Sequence, residues 1–166
     1  MHQTRSVRSD SHLRVARLDD ATRLAALSAM LGYPVAVDGL GARLARLLPR
    51  PTDLLLVAES AEGEIIGWVH AAEQELLESE RRCEILGLVV DAAHRGQGTG
   101  RRLVAAAEDW AASRGLELIA VRSNVARTES HPFYERLGYL RVKTQHAYRK
   151  RLDLGRASTP PSDPAG

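Results

Sequence analysis

The 166-residue chain is 44% hydrophobic, enough to bury one contiguous core, and its length is that of an ordinary single domain. A formal charge of +2 with acids and bases interspersed, and an aromatic content of only one Phe, two Trp and four Tyr, give no case for a nucleic-acid partner. No apolar run approaches the ~18 residues of a membrane span, and the start mixes Arg5, Arg8, Asp10 and Arg14 with polar residues, so a soluble cytoplasmic protein is expected.

Residues 1–11 and 153–166 lack apolar periodicity and the tail is rich in Pro and Ser, so both ends are expected to be disordered around a single domain at 12–152. Leu13 to Leu18 alternates as a strand does. Asp19 then offers a cap to a helix with Leu24, Leu27, Ser28 and Leu31 on one stripe, stopped by Gly32 and Pro34. A second stripe, Leu40, Leu44, Leu47 and Leu48, ends at Pro49. The runs DLLLVAE and EIIGWVHAA flank a tight turn at Ser60 to Gly63 and read as a hairpin. The acidic stretch EQELLESE at 73–80 fits a loop, a helical turn or a frayed hairpin end.

Next, CEILGLVVD has the length and apolarity of a central strand covered on both faces. Within it, Cys83 has no disulfide or zinc-ligand partner and reads as a buried thiol. A helix is expected from about Gly98 to Ser113, facing inward with Leu103, Ala106, Trp110 and Arg114, then the strand LELIAVR and a helix from about Thr128 to Leu137 closed by Gly138. Tyr139 to Val142 and Thr144 to Leu152 alternate as a short closing hairpin would. The order β-α-α-β-β-β-α-β-α-β-β follows, an α/β (α+β) fold with about seven strands and about four helices.

The segment RGQGTG, Arg95 to Gly100, places three glycines between a buried strand and an amphipathic helix. The backbone there can approach an anion closely, the helix dipole favours negative charge, and Arg95, Arg101 and Arg102 add cations at the rim. The same glycines would also serve a plain tight turn. A dinucleotide fingerprint fails at Arg101 and Leu103, and a Walker loop lacks its GK[ST].

The loop instead matches [Q/R]-x-x-G-x-[G/A] through Arg95, Gly98 and Gly100 after the strand CEILGLVV, and HPFYERLGY follows at a suitable separation. In these two motifs the chain resembles the GCN5-related N-acetyltransferases (GNAT) over roughly Leu13 to Leu152. The resemblance implies the GNAT-like mixed central sheet, acetyl-coenzyme A as co-substrate, and transfer of its acetyl group to a primary amine. It implies that the coenzyme's pyrophosphate rests on Arg95, Gly96, Gln97, Gly98, Thr99, Gly100 and Arg101, and that its pantetheine arm pairs with the backbone of Leu88, Val89 and Val90 where the sheet splays. The N-H of Val89 or Val90 would then donate to the thioester oxygen.

Glu84 interrupts the apolar strand on the face that alternation assigns to Leu86, Leu88 and Val90, eleven positions before Arg95. The interval is similar to that of the family's catalytic glutamate, which would make it a general base, directly or through water; it can equally be a strand-end carboxylate paired with Arg81 or Arg82. The resemblance makes Tyr134 the general acid at the sulfur, against a plain packing role beside Phe133, and Asn124 a coenzyme contact or cap, against ordinary turn chemistry.

The histidines are scattered without an i, i+4 pair, so no metal is expected. Glu73, Glu75, Glu78 and Glu80 tilt the acceptor toward a cationic small molecule, polyamine-like or aminoglycoside-like, or a protein lysine. A non-catalytic acyl-coenzyme A sensor is the alternative, and the resemblance leaves a homodimer open.

Overall fold

The computed structural model describes residues 11–152, so the ends expected to be disordered lie, except for Ser11, outside the described residues. The elements run β1 (His12–Val15), α1 (Ala21–Ala29), α2 (Val37–Leu47), β2 (Asp53–Glu59), β3 (Ile65–Leu76), β4 (Ser79–Val90), α3 (Thr99–Ser113), β5 (Ile119–Val121) and α4 (Ser130–Arg136). The chain divides after Asn124 into two units; the first holds everything through β5 and the second holds α4.

The sheet of the first unit is ordered β1-β2-β3-β4-β5, antiparallel through β4 and parallel between β4 and β5. The acidic segment left open by its sequence is the tip of the β3–β4 hairpin, where Leu76 pairs with Ser79 and Leu77 stands fully in solvent. One face carries Val57, Trp68 and Val89 and is covered by α1 and α2 through Leu24, Leu27 and Leu44. On the other face α3 lies so close that a Cβ on Gly67 would come 3.3 Å from Leu103 Cδ1. Each fully buried aliphatic side chain, such as Leu27, Leu103, Val57 or Val69, contributes roughly 1.5–3 kcal/mol of transfer free energy.

The stripes expected on α1 and α2 are the ones that pack, with Leu44 buried and Leu40, Leu48 and Leu31 partly buried around the same cluster. On α3 the buried line is Leu103, Val104, Ala107 and Ala111, one step round from the expected stripe. Arg114 instead lays its guanidinium over the Trp110 ring, 4.9 Å from the centroid, because a long cation and an amphipathic ring serve better at the rim than in the core.

Two expectations are corrected. Five strands are present among the described residues, not seven, because residues 139–152 form no strand. Alternation specifies two faces but supplies no ladder partner, and Leu140, Val142, Tyr148 and Leu152 stay exposed. Secondly, Gly87 pairs with His70 and Ile85 with Ala71, which leaves Leu86 as an extra residue, a β-bulge. The bulge reverses the alternation, so Glu84, opposite Ala72, shares its face with Gly87 and Val89 rather than with Leu88 and Val90.

Candidate active site

At the end of β4 the Asp91 N-H bonds Ile66 O at 2.8 Å and its carboxylate accepts the Ala93 N-H at 2.9 Å, capping the turn Ala92–His94. Arg23 of α1 grips the same carboxylate while donating to Ile65 O at 2.8 Å. The Ala93 bond and the Arg23 charge hold the Asp91 pKa below the usual carboxylate range, against its desolvation. The loop that follows is thereby anchored to the sheet.

Gly96 and Gly98 take φ of +75° and +87°, a conformation that costs other residues about 1–2 kcal/mol. Gly98 is the N-cap of α3 and has no side chain to cap with, so the N-H groups of Thr99, Gly100 and Arg101 have no intrahelical acceptor. Arg95 folds its Nε back to Val90 O at 3.2 Å, Arg101 is exposed, and Arg102 donates to Ser11 Oγ at 2.8 Å. The loop therefore offers amides, a helix N-terminus and cations together at the end of β4.

Among the described residues, the neighbouring strand edge is left without a ladder partner. Pairing between β4 and β5 covers only Cys83–Ile119 through Ile85–Val121, while β4 continues to Val90. Because the Asp91 N-H turns to β3, alternation directs those of Leu88 and Val90 to the opposite edge, past the end of β5. Val89 faces β3, its carbonyl lying 2.8 Å from where a Cβ on Gly67 would sit. Of the two amides singled out as donors to a thioester oxygen, only that of Val90 points to the open edge.

Glu84 is buried, 4% exposed, with Arg122 Nε at 2.8 Å from Oε1 and Arg82 at 3.6 Å from Oε2. Arg82 is one of the two partners its place in the sequence suggests; Arg122, on the β5 side, is 38 residues away, and no local pattern points to it. Glu73 is likewise committed, one oxygen to Arg81 and the other to Arg114 at 2.9 Å, which lowers its pKa. Burial, and then the Glu84 charge, push the Cys83 thiol up to about 11, as suits an unreactive core cysteine. Asn124 is exposed just beyond β5.

In the second unit, Tyr134 makes edge contacts with Phe133 at 5.1 Å and Tyr139 at 5.7 Å. Burial raises its pKa, so the phenol keeps its proton and can donate it.

Sequence reasoning passed over a second polar pair. His70 Nε2 and Asp53 Oδ1 are 2.8 Å apart, with the Asp53 side chain 2% exposed and bonded also by Thr52 Oγ1 at 3.1 Å and Arg50 Nε at 3.2 Å. His70 lines a partly open cavity of about 260 Å³ bounded by α1, α2, the segment between them and the sheet, with Leu86 and Gly87 of the bulge on its wall. The period-2 reading of EIIGWVHAA, which puts His70 on the face of Trp68, was the available signal. Among the described residues no group of three or more His, Cys, Asp or Glu could hold a metal, and no helix is long and apolar enough to cross a membrane.

Residues 27–139 match the family model described as the acetyltransferase (GNAT) family. The chain is 38% identical over 78 residues to the aminoalkylphosphonate N-acetyltransferase of Salmonella typhimurium, covering 46% of this chain and 51% of that protein. It is 31% identical over 121 residues to the acetyl transferase GW6a of Oryza sativa, covering 63% of this chain and 28% of that one. It thus spans about half or less of these relatives' length. In structure it is similar to the aminoglycoside N-acetyltransferase AAC(6')-Iy solved in complex with CoA, with a TM-score of 0.76 at 21% identity over 87% of this chain and 97% of that one. A match across more than half of its residues, on the fold and loop just described, makes this chain a member of the GNAT acetyltransferase family.

Proposed function

We propose that residues 12–152 act as one domain that transfers an acetyl group from acetyl-coenzyme A to a primary amine of a small molecule or a protein. The observation that carries this reading is the open β4 edge running directly into the Gly96–Gly98 turn and the start of α3. Amides and cations of Arg95 to Arg101 receive the coenzyme's pyrophosphate, and Leu88 and Val90 offer backbone pairing to its pantetheine arm. The structural neighbour solved with CoA and the acetyltransferase relatives support the same assignment.

Transfer needs a neutral amine, a polarised carbonyl and a proton for the departing thiolate. The Val90 N-H serves the carbonyl, and Tyr134, whose raised pKa keeps it protonated, serves the sulfur. Asn124 supports the coenzyme. Glu84, expected as a general base, has its oxygens taken by Arg122 and Arg82, and it orders β4 beside the thioester rather than removing the proton.

The test is calorimetric titration with acetyl-coenzyme A, followed by an assay of free thiol released with a panel of amines. Binding with amine-dependent thiol release is expected. Binding without turnover for any amine would leave a non-catalytic acyl-coenzyme A sensor as the reading, and no binding would overturn the assignment.

A further inference from the structure

We propose that the cavity beneath α1 and α2 is the acceptor site and that it takes a primary amine carried on an apolar body, with His70 removing the proton from the amine. This rests on the acetyltransferase reading and narrows its acceptor, away from the polyamine and aminoglycoside classes that the acidic segment suggested.

Three observations converge. The wall is mostly hydrocarbon, with Leu24, Leu44 and Leu55 among its residues; besides His70 its polar members are Ser28, Tyr33 and Arg43, and the Arg43 cation disfavours a polycation further. A polycation or a polyhydroxylated sugar would leave most of its polar groups without partners there. The volume, about 260 Å³, lies just below the usual ~300–1,000 Å³ of ligand pockets, room for one ring or a short branched chain rather than an oligosaccharide. The glutamates that would have drawn a polycation are at the β3–β4 hairpin tip, away from this wall, and Glu73 among them is taken up by Arg81 and Arg114.

The position of the polar group completes the case. His70 pairs directly with Gly87, beside the Leu86 bulge, on the stretch of β4 whose far edge β5 has left. An amine seated in the cavity therefore has an imidazole on the wall next to the strand that receives the thioester. Asp53, almost fully buried, fixes the ring through Nε2, which leaves Nδ1 for the substrate. Glu84 cannot replace it without losing Arg122.

In the step itself, His70 takes one proton from the substrate ammonium and releases it to solvent. The neutral nitrogen then attacks the thioester carbonyl; the C-N bond forms, the C-S bond breaks, and the second nitrogen proton ends on the sulfur. The sum is ammonium plus thioester giving amide, free thiol and one proton.

The experiment compares phenethylamine and a branched alkylamine with spermidine and an aminoglycoside in the thiol-release assay, with acetyl-coenzyme A affinity measured in parallel. The apolar amines are expected to show kcat/KM at least about tenfold above the polycations. Leu40→Trp, which narrows the cavity, should raise KM for the apolar amines about tenfold or more, and His70→Gln should lower kcat by about 10²- to 10⁴-fold, both with unchanged coenzyme affinity. Melting curves check folding, and Leu47→Phe on the same wall stands in if Leu40→Trp fails to fold. Intact coenzyme binding with faster turnover of spermidine or the aminoglycoside, or cavity variants with unaltered KM, would overturn the inference alone. Loss of coenzyme binding by the unmodified protein would instead overturn the transferase reading beneath it.

Discussion

Asp53 and Glu84 stand in one row of the sheet, each directly opposite Ala72 on a neighbouring strand and on the same face, roughly 10 Å apart at two strand spacings. Both carboxylates are buried, yet their partners differ in kind. Asp53 holds an imidazole that lines a cavity and whose second ring nitrogen can accept a hydrogen, whereas Glu84 holds the guanidinium of Arg122, which only donates. Burial of an acid in a strand therefore does not by itself mark a base. The partner decides whether the pair moves protons or ties strands together, and here the Glu84 pair ties β4 to the residue just past β5.

The sharpest way to break this comparison is to swap the acids for amides. Asp53→Asn should lower kcat by about 10²-fold or more while leaving KM for an apolar amine within a factor of about three, because it disorders the His70 tautomer rather than the pocket. Asp53→Glu should restore part of that rate, which a purely structural role would not predict. By the same logic Glu84→Gln should change kcat by less than about tenfold and instead destabilise the fold by about 1–3 kcal/mol, read from denaturant unfolding, because it uncouples Arg122. A 10²-fold loss of kcat in Glu84→Gln with Asp53→Asn near wild type would reverse the assignment.

Gly87 lies between the two pairs and tests their shared wall. A Cβ there would sit 2.6 Å from two ring atoms of Trp68, so Gly87→Ala must push the indole toward the cavity. The expected cost is about 1–3 kcal/mol of stability, together with a raised KM for the acceptor and coenzyme affinity little changed.

The amino-acid pattern made much of this legible because the relevant signals are local. The glycines of Arg95 to Gly100, the apolar run before them and the stripes of α1 and α2 depend on neighbours a few residues apart, and they lie where expected. What was hidden depends on pairing. The face of Glu84 was misassigned because nothing in CEILGLVV announces that Leu86 is an extra residue; the bulge exists only relative to β3. The Asp53–His70 bond joins residues 17 apart through the β2–β3 register, and Arg122 meets Glu84 across 38 residues through the parallel pairing with β5. Residues 139–152 failed in the opposite direction, since their alternation promised strands and nothing in it guaranteed a partner.

The smallest expected effect is also the most direct probe of the charge on Glu84. Its neighbour Cys83 is fully buried, and its thiol is raised to about 11 first by burial and second by the Glu84 carboxylate. Removing that charge in Glu84→Gln should lower the thiol pKa, but only part of the way to the ordinary 9.0, because burial is the larger cause and persists. The sign for stability follows: the unfolded thiol ionises before the folded one, so the contribution of Cys83 is complete below pH 9 and is lost as pH rises toward about 11. The loss is at most about 1.4 kcal/mol per pH unit, and it should be shallower in Glu84→Gln. Urea unfolding of the two proteins at intervals across this alkaline window measures the difference. Identical slopes would mean that Arg122 and Arg82 already cancel the Glu84 charge at the thiol, making the pair electrically silent toward its own core as well as toward the reaction.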